Sequence, residues 1–171
     1  MSWEDFYRRR DAISSVLAFA QRTEGADLPF EELDDVPAVF ADREELALAL
    51  QYKWSQALQG RVAVALSDAE RALDVDHVEA VAAAWRTTAA EQPALRRLLD
   101  GYRGGPAFRE AVRAEQRMIA HAAGLAENDE PADEAARIGA AFIALVRGVP
   151  TQRTTRHRNP VEQLLRRLVA S

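Results

Sequence analysis

The chain has no cysteine, which excludes disulfides and thiolate metal sites. Lys53 is its only lysine, and arginine supplies the rest of the fixed positive charge. No apolar run approaches the roughly 20 residues that cross a bilayer. The charged start MSWEDFYRRR lacks the apolar core of a signal peptide. The expected location is the cytoplasm, away from any membrane. Strand signals are nearly missing: the one alternating run, Leu46 to Leu50, has no β-branched residue and is flanked by strong helix formers. No Gly-x-Ser-x-Gly, P-loop or dinucleotide fingerprint occurs. His77, His121 and His157 lie on separate segments without His-x-x-x-His or Glu-x-x-His spacing. Glu45 and Tyr52, seven apart, faintly resemble half of a carboxylate-bridged metal bundle, but its Glu-x-x-His partners are missing. No catalytic residue, metal or cofactor is therefore expected.

What is present is a helical chain of 171 residues, 48% of them hydrophobic, enough for one domain with a sizeable core. Abundant alanine, with arginine preferred to lysine, points to a GC-rich bacterial genome. The net charge of −5 is unevenly spread. Residues 147–171 hold six arginines against Glu162, a net +5, so the other residues carry 16 basic against 26 acidic groups, a net −10. Residues 24–45 hold nine carboxylates against Arg43, a net −8. A uniformly basic nucleic-acid binder is excluded.

The pattern predicts an all-α fold. A first helix runs from about Ser2 to Arg22, with Trp3, Phe6, Tyr7, Ile13 and Leu17 on one face. A second starts at Asp42, where Asp42 and Glu45 have capping-box spacing, and continues toward Leu73 past Gly60. It is apolar nearly all round, as a central helix would be. A third starts at Asp76 and presents Val78, Val81, Ala82 and Trp85. Pro93 opens a short helix ending near Tyr102, Pro106 opens one reaching Leu125, and Pro131 opens one containing the apolar run Ile138 to Val146. Asn159-Pro160-Val161-Glu162 starts a last amphipathic helix with Val161, Leu164, Leu165 and Leu168 in one stripe.

Three strings set in this order of elements resemble the TetR family of bacterial transcriptional regulators. Ala18-Phe19-Ala20-Gln21-Arg22 is similar to the end of that family's first helix. Phe40-Ala41-Asp42-Arg43-Glu44-Glu45-Leu46 is similar to the start of its fourth. Glu91-Gln92-Pro93-Ala94-Leu95-Arg96-Arg97-Leu98-Leu99 is similar to the junction of its fifth and sixth. Between the first two strings the family carries a helix-turn-helix. Leu28-Pro29-Phe30-Glu31-Glu32-Leu33 is similar to its beginning, but Asp34-Asp35-Val36-Pro37-Ala38-Val39 stands where the turn and recognition helix belong. Six residues cannot supply a turn and a helix that fills a major groove, and Pro37 disfavours a helical Val36. The resemblance thus implies a reduced N-terminal subdomain over residues 1–45, and a ligand-binding and dimerisation domain over residues 46–171.

Glu115 is the most informative carboxylate. It falls in the middle of an apolar arc formed by Phe108, Ala111, Val112, Met118, Ile119 and Ala122. A carboxylate there must be paired, hydrogen-bonded, protonated or turned to a cavity. Two readings stay open: a structural ion pair with Arg10, Lys53 or Arg61, or a polar group of a ligand pocket. In the family the pocket lies among the helices that correspond to the central one, the Trp85 helix and the Glu115 helix. The candidate lining is Lys53, Trp54, Arg61, Trp85, Tyr102, Phe108, Val112, Glu115 and Ile119. The arginine-rich stretch 147–158 has no aromatic for base stacking. It reads as a solvated linker, as a partner of the acidic window, or as a phosphate-contacting arm.

The resemblance implies a homodimer, with Ile138, Phe142, Leu145, Leu164, Leu165 and Leu168 as interface candidates. The expected function is regulatory or ligand-sensing and non-catalytic, with DNA binding weakened or lost. The partner would be a protein or a small hydrophobic ligand. Two alternatives are kept: a regulator that still binds DNA through Arg8, Arg9, Arg10 and Arg22, and a helical enzyme or metal-binding bundle.

Overall fold

The computed structural model describes residues 3–71 and 76–148. Among these residues every regular element is a helix: α1 (Trp3–Thr23), α2 (Arg43–Arg71), α3 (His77–Glu91), α4 (Pro93–Gly101), α5 (Pro106–Ala122) and α6 (Ala132–Gly148). The expected helix from Asn159 lies outside the described residues.

The helix starts follow capping chemistry. Asp42 Oδ1 accepts from the Glu45 amide at 2.8 Å. The reciprocal arm of the capping box is displaced by one residue, because Glu45 accepts from the Ala41 amide at 2.7 Å. Asp76 caps α3 by accepting from the Val78 amide. Pro93 and Pro106 open α4 and α5, where a missing amide hydrogen costs nothing. The Glu44 carboxylate lies against the start of α5 and accepts from the Phe108 amide at 3.3 Å, which places a negative charge at the positive end of that helix. α5 stops earlier than its apolar pattern suggests. Gly124 adopts a φ of 68°, its amide bonds to the His121 carbonyl, and the Leu125 amide bonds back to Ala120, a Schellman ending.

α2 is the central element, packed by α3 on one side and α5 on another, while α5 and α6 form an antiparallel hairpin. Gly139 permits that hairpin: a Cβ there would land on the Gln116 carbonyl oxygen of α5. The core joins Val16, Leu46, Leu50, Trp54, Leu58, Val81, Leu95, Leu98 and Ile119. α1 packs on α4 and α2. Arg97 of α4 donates to the Ala20 carbonyl in the last turns of α1 at 3.1 Å, which satisfies an oxygen at a helix end.

The face of α1 is as expected at Ile13 and Leu17, which pack against the core, but differs in the first two turns. Its buried residues are Ala12, Val16 and Ala20, while Trp3, Phe6 and Tyr7 are exposed, with the Phe6 ring edge-on to both the others. The small residues let α1 lie close to α4. Trp3 and Tyr7 fall on the other side of the wheel, Phe6 lies in line with Ile13 and Leu17 but in the exposed first two turns, and Arg9 turns inward over the Phe40 ring, 4.5 Å from its centroid.

Residues 24–42 hold no helix. The segment runs through turns closed by the amides of Val36, Val39 and Phe40. It is anchored by Leu28, Val36 and Phe40, all buried in the common core. Glu31 and Arg43 form an ion pair across its surface.

Candidate functional site

Glu115 occupies the third turn of α5 and is 7% exposed. Trp54 Nε1 donates to its Oε1 at 2.9 Å, and Gln51 Nε2 donates to its Oε2 at 2.5 Å. Both donors come from the buried face of α2, one turn apart. Arg96 of α4 brings Nη1 to 3.9 Å from Oε1, while its guanidinium lies 4.7 Å from the Trp54 ring centroid. Glu115 is therefore hydrogen-bonded, and its charge is balanced by Arg96. The expected partners do not supply that charge. Arg10 is exposed and pairs with Asp11, Lys53 is exposed, and Arg61 pairs with Glu91. The reason is geometric. Lys53 projects from another face of α2 than Gln51 and Trp54, Arg61 lies on the Trp54 face but two turns further along, about 10 Å away, and Arg10 belongs to the outer face of α1.

Arg96 is held in turn by Asp100, one turn along α4. Its Nη2 is 2.9 Å and its Nε 3.1 Å from Asp100 Oδ1. The same oxygen accepts from Arg147 of α6 at 2.8 Å. The Arg147 guanidinium also sits over Trp85, 5.3 Å from the ring centroid. One carboxylate thus joins two guanidinium groups from two helices, each backed by a tryptophan.

Two of the hollows that adjoin this network lie against α5 and α6. A small one, about 200 Å³, is lined by Arg96, Val112, Glu115, Gln116, Ile143 and Arg147. A larger open cleft, about 590 Å³, lies between α4, α5 and the end of α6, and shares Arg96, Val112, Gln116 and Arg147 with the first. Tyr102 and Phe108 pack edge to face at 5.0 Å in its wall. Burial and the nearby Glu44 and Asp42 carboxylates raise the Tyr102 pKa, so its hydroxyl is kept protonated.

Of the candidate lining, Glu115 and Val112 border the small hollow, Tyr102, Phe108 and Val112 border the larger cleft, and Trp54 reaches Glu115 but borders neither. Trp54 and Trp85 meet edge-on at 6.0 Å and fill the space between α2 and α3 as core. Ile119 is likewise core. Lys53 and Arg61 lie outside the site. Arg96, Asp100, Gln51 and Arg147 are the residues that sequence reasoning missed. The spacing of Arg96 and Asp100, one helical turn, was the available signal.

Of the interface candidates, Phe142 is buried in the core of its own chain, Ile138 is half-buried and Leu145 is 70% exposed. The apolar run in α6 therefore divides into an inward face of Ala135, Gly139, Phe142, Ile143 and Val146 and an outward face that includes Leu145. Leu164, Leu165 and Leu168 lie outside the described residues.

Among the described residues no group of three metal-ligating side chains converges, and no helix is long and apolar enough to cross a membrane. Glu45 is engaged by Arg9 and the Ala41 amide, and Tyr52 points to solvent, so the two do not form a common site. No family model, no curated protein and no solved structure matches this chain.

Proposed function

We propose that the chain is a TetR-like, non-catalytic, ligand-sensing homodimer whose DNA-reading element has been lost. The observation that carries this reading is a contrast within one bundle. Residues 24–42 hold no helix, while α4, α5 and α6 keep a cleft beside a buried, fully partnered carboxylate. Base readout requires a helix or ribbon that enters a groove. The segment between α1 and α2 is made of short turns and bears exposed Glu24, Asp27, Glu31, Glu32, Asp34 and Asp35, which repel phosphate.

The alternative in which DNA binding survives depends on arginines of α1. Arg8 pairs with Glu4, Arg9 with Glu45 and Arg10 with Asp11, so their contact with phosphate would have to displace these carboxylates, while Arg22 is exposed and lies against the Phe19 ring. In the dimer the outward face of α6, with Leu145, would meet its symmetry mate.

A gel shift against the upstream region of its own gene, at physiological salt, tests the reading: no retarded band is expected for the purified chain. A discrete complex that excess non-specific DNA does not compete away would restore the DNA-binding alternative. Metal analysis of the same preparation tests the third class, since stoichiometric metal would overturn the non-catalytic reading.

A further inference from the structure

The larger cleft has a charge unlike that of the rest of the chain. The whole sequence carries −5, yet this cleft is lined by Arg96, Arg103, Arg109, Arg113 and Arg147 against a single carboxylate, Asp100. The arginines are not fully engaged. Arg96 and Arg147 share one oxygen of Asp100, and each guanidinium has five N–H donors. Arg109 donates to the Gly104 carbonyl, a neutral acceptor. Arg113 reaches Asp133 only at 3.8 Å, between two exposed side chains. Apart from Gly104 and the neutral Gln116, the rest of the wall is apolar or aromatic: Leu99, Phe108, Val112 and Tyr102.

We propose, building on the ligand-sensing reading, that this cleft binds an organic anion: a carboxylate or phosphate head on an apolar body. The head would lie between the Arg147 and Arg103 guanidinium groups, and the body would lie against Phe108, Val112 and Leu99. Planar guanidinium forks match both head groups and hold them bidentately. The volume of about 590 Å³ falls within the ordinary range of small-molecule sites. Asp100 is the internal stand-in for the ligand's head. Its carboxylate occupies the donors of Arg96 and Arg147 and ties α4 to α6. An incoming anion competes with Asp100 for Arg147, and so loosens the α4–α6 tie near the outward face of α6. Ligand binding is thereby coupled to the surface at which the proposed dimer forms. Arg147 also rests on Trp85 and Arg96 on Trp54, so the same displacement changes the surroundings of two indoles.

The test uses the full chain and 8-anilinonaphthalene-1-sulfonate, an aromatic anion that fluoresces when it is desolvated. Saturable binding is expected, displaced by octanoate or octyl phosphate but not by octanol at the same concentration. Whichever of the two anions displaces at lower concentration identifies the preferred head. Arg147→Gln and Arg103→Gln, both at exposed positions, should each weaken the probe by about tenfold, the loss of one charge-assisted contact. Asp100→Asn should act in the opposite direction and tighten binding of octanoate or octyl phosphate, read as displacement of the probe at a lower competitor concentration with near-UV circular dichroism unchanged, because a loosened fold would raise probe fluorescence without that anion-specific displacement. Displacement by octanol as effective as by octanoate and octyl phosphate would overturn the anion assignment while leaving a sensing cleft in place. Weaker or unchanged binding in Asp100→Asn would overturn the stand-in role. If neither the probe nor any of the competitors bound, the anion assignment and the sensing reading would both fall.

Discussion

Glu115 shows how far a single residue can be read before its neighbours are known. Its position within an apolar arc demands a partner, and it has partners, because an unpaired carboxylate at 7% exposure is too costly to persist. Which residues they are depends on the angles at which α2 and α4 approach α5, and no helical period within one segment encodes those. Gln51, Trp54 and Arg96 lie 64, 61 and 19 positions away in the chain. Replacing Glu115 by Gln keeps the shape but removes the charge that Trp54, Gln51 and Arg96 address. Urea denaturation should show a loss of about 1.5–3 kcal/mol, the range for a hydrogen bond to a charged group. Lys53→Gln should change stability by less than about 0.5 kcal/mol, as an exposed substitution does; a larger loss there would mean that Lys53 reaches the site after all. Glu45 gives a prediction in pH. The Ala41 amide and the Arg9 guanidinium hold its pKa below the ordinary value of 4.5. A carboxylate depressed in the folded state binds its proton more readily when unfolded. Its contribution is therefore complete above the ordinary carboxylate range and is lost as pH falls through the lowered value. Glu45→Gln should flatten the acid side of the stability profile while leaving the shape above neutrality unchanged. An acid limb identical to that of the parent would show that Glu45 is not a contributor.

At the scale of elements, the helices are readable in the sequence where capping residues and prolines mark them. Asp42, Asp76, Pro93 and Pro106 each stand at the start they announce. Faces are less readable. The aromatics of α1 carry the larger apolar surface, yet close approach to α4 favours the strip of Ala12, Val16 and Ala20. In α6, a run apolar on nearly every side does not say which side a single chain buries. Two glycines separate the local requirement from the tertiary one. Gly60 lies within α2 with open space where a Cβ would go, so Gly60→Ala should stabilise by about 0.4–1 kcal/mol through loss of backbone freedom in the unfolded chain. Gly139 faces the Gln116 carbonyl in the α5–α6 hairpin, and Gly139→Ala should destabilise by about 1–3 kcal/mol or more, because backbone rather than a side-chain tip must move. Thermal melts of the two variants should shift in opposite directions, and a tolerated Gly139→Ala would mean that the hairpin is looser than described.

For the whole molecule, assembly and DNA contact are the two open properties, and each rests on a surface. If the outward face of α6 pairs two copies, Leu145→Arg combined with Leu164→Arg should give a folded monomer in sedimentation at tens of micromolar, since Leu145 is exposed in a single chain. Phe142→Arg is not an interface test, because Phe142 belongs to the core and the change should unfold the protein. A parent chain that sediments as a monomer would remove the dimer from the account. The proposed loss of DNA reading is the more accessible inference from sequence, because it rests on length and charge, which need no tertiary information. The six residues 34–39 that stand where the resemblance would put a turn and a groove-filling helix are too few for both, and the window around them, residues 24–45, is strongly acidic. The cleft at α4–α6 was less accessible, because its arginines come from separate helices and converge only after packing. The central claim is that this bundle senses without reading DNA. Selection of bound duplexes from a random-sequence DNA pool by the purified chain, at physiological salt, tests it most directly. Successive rounds should enrich no common motif, and a reproducible palindrome bound at nanomolar affinity would contradict the claim.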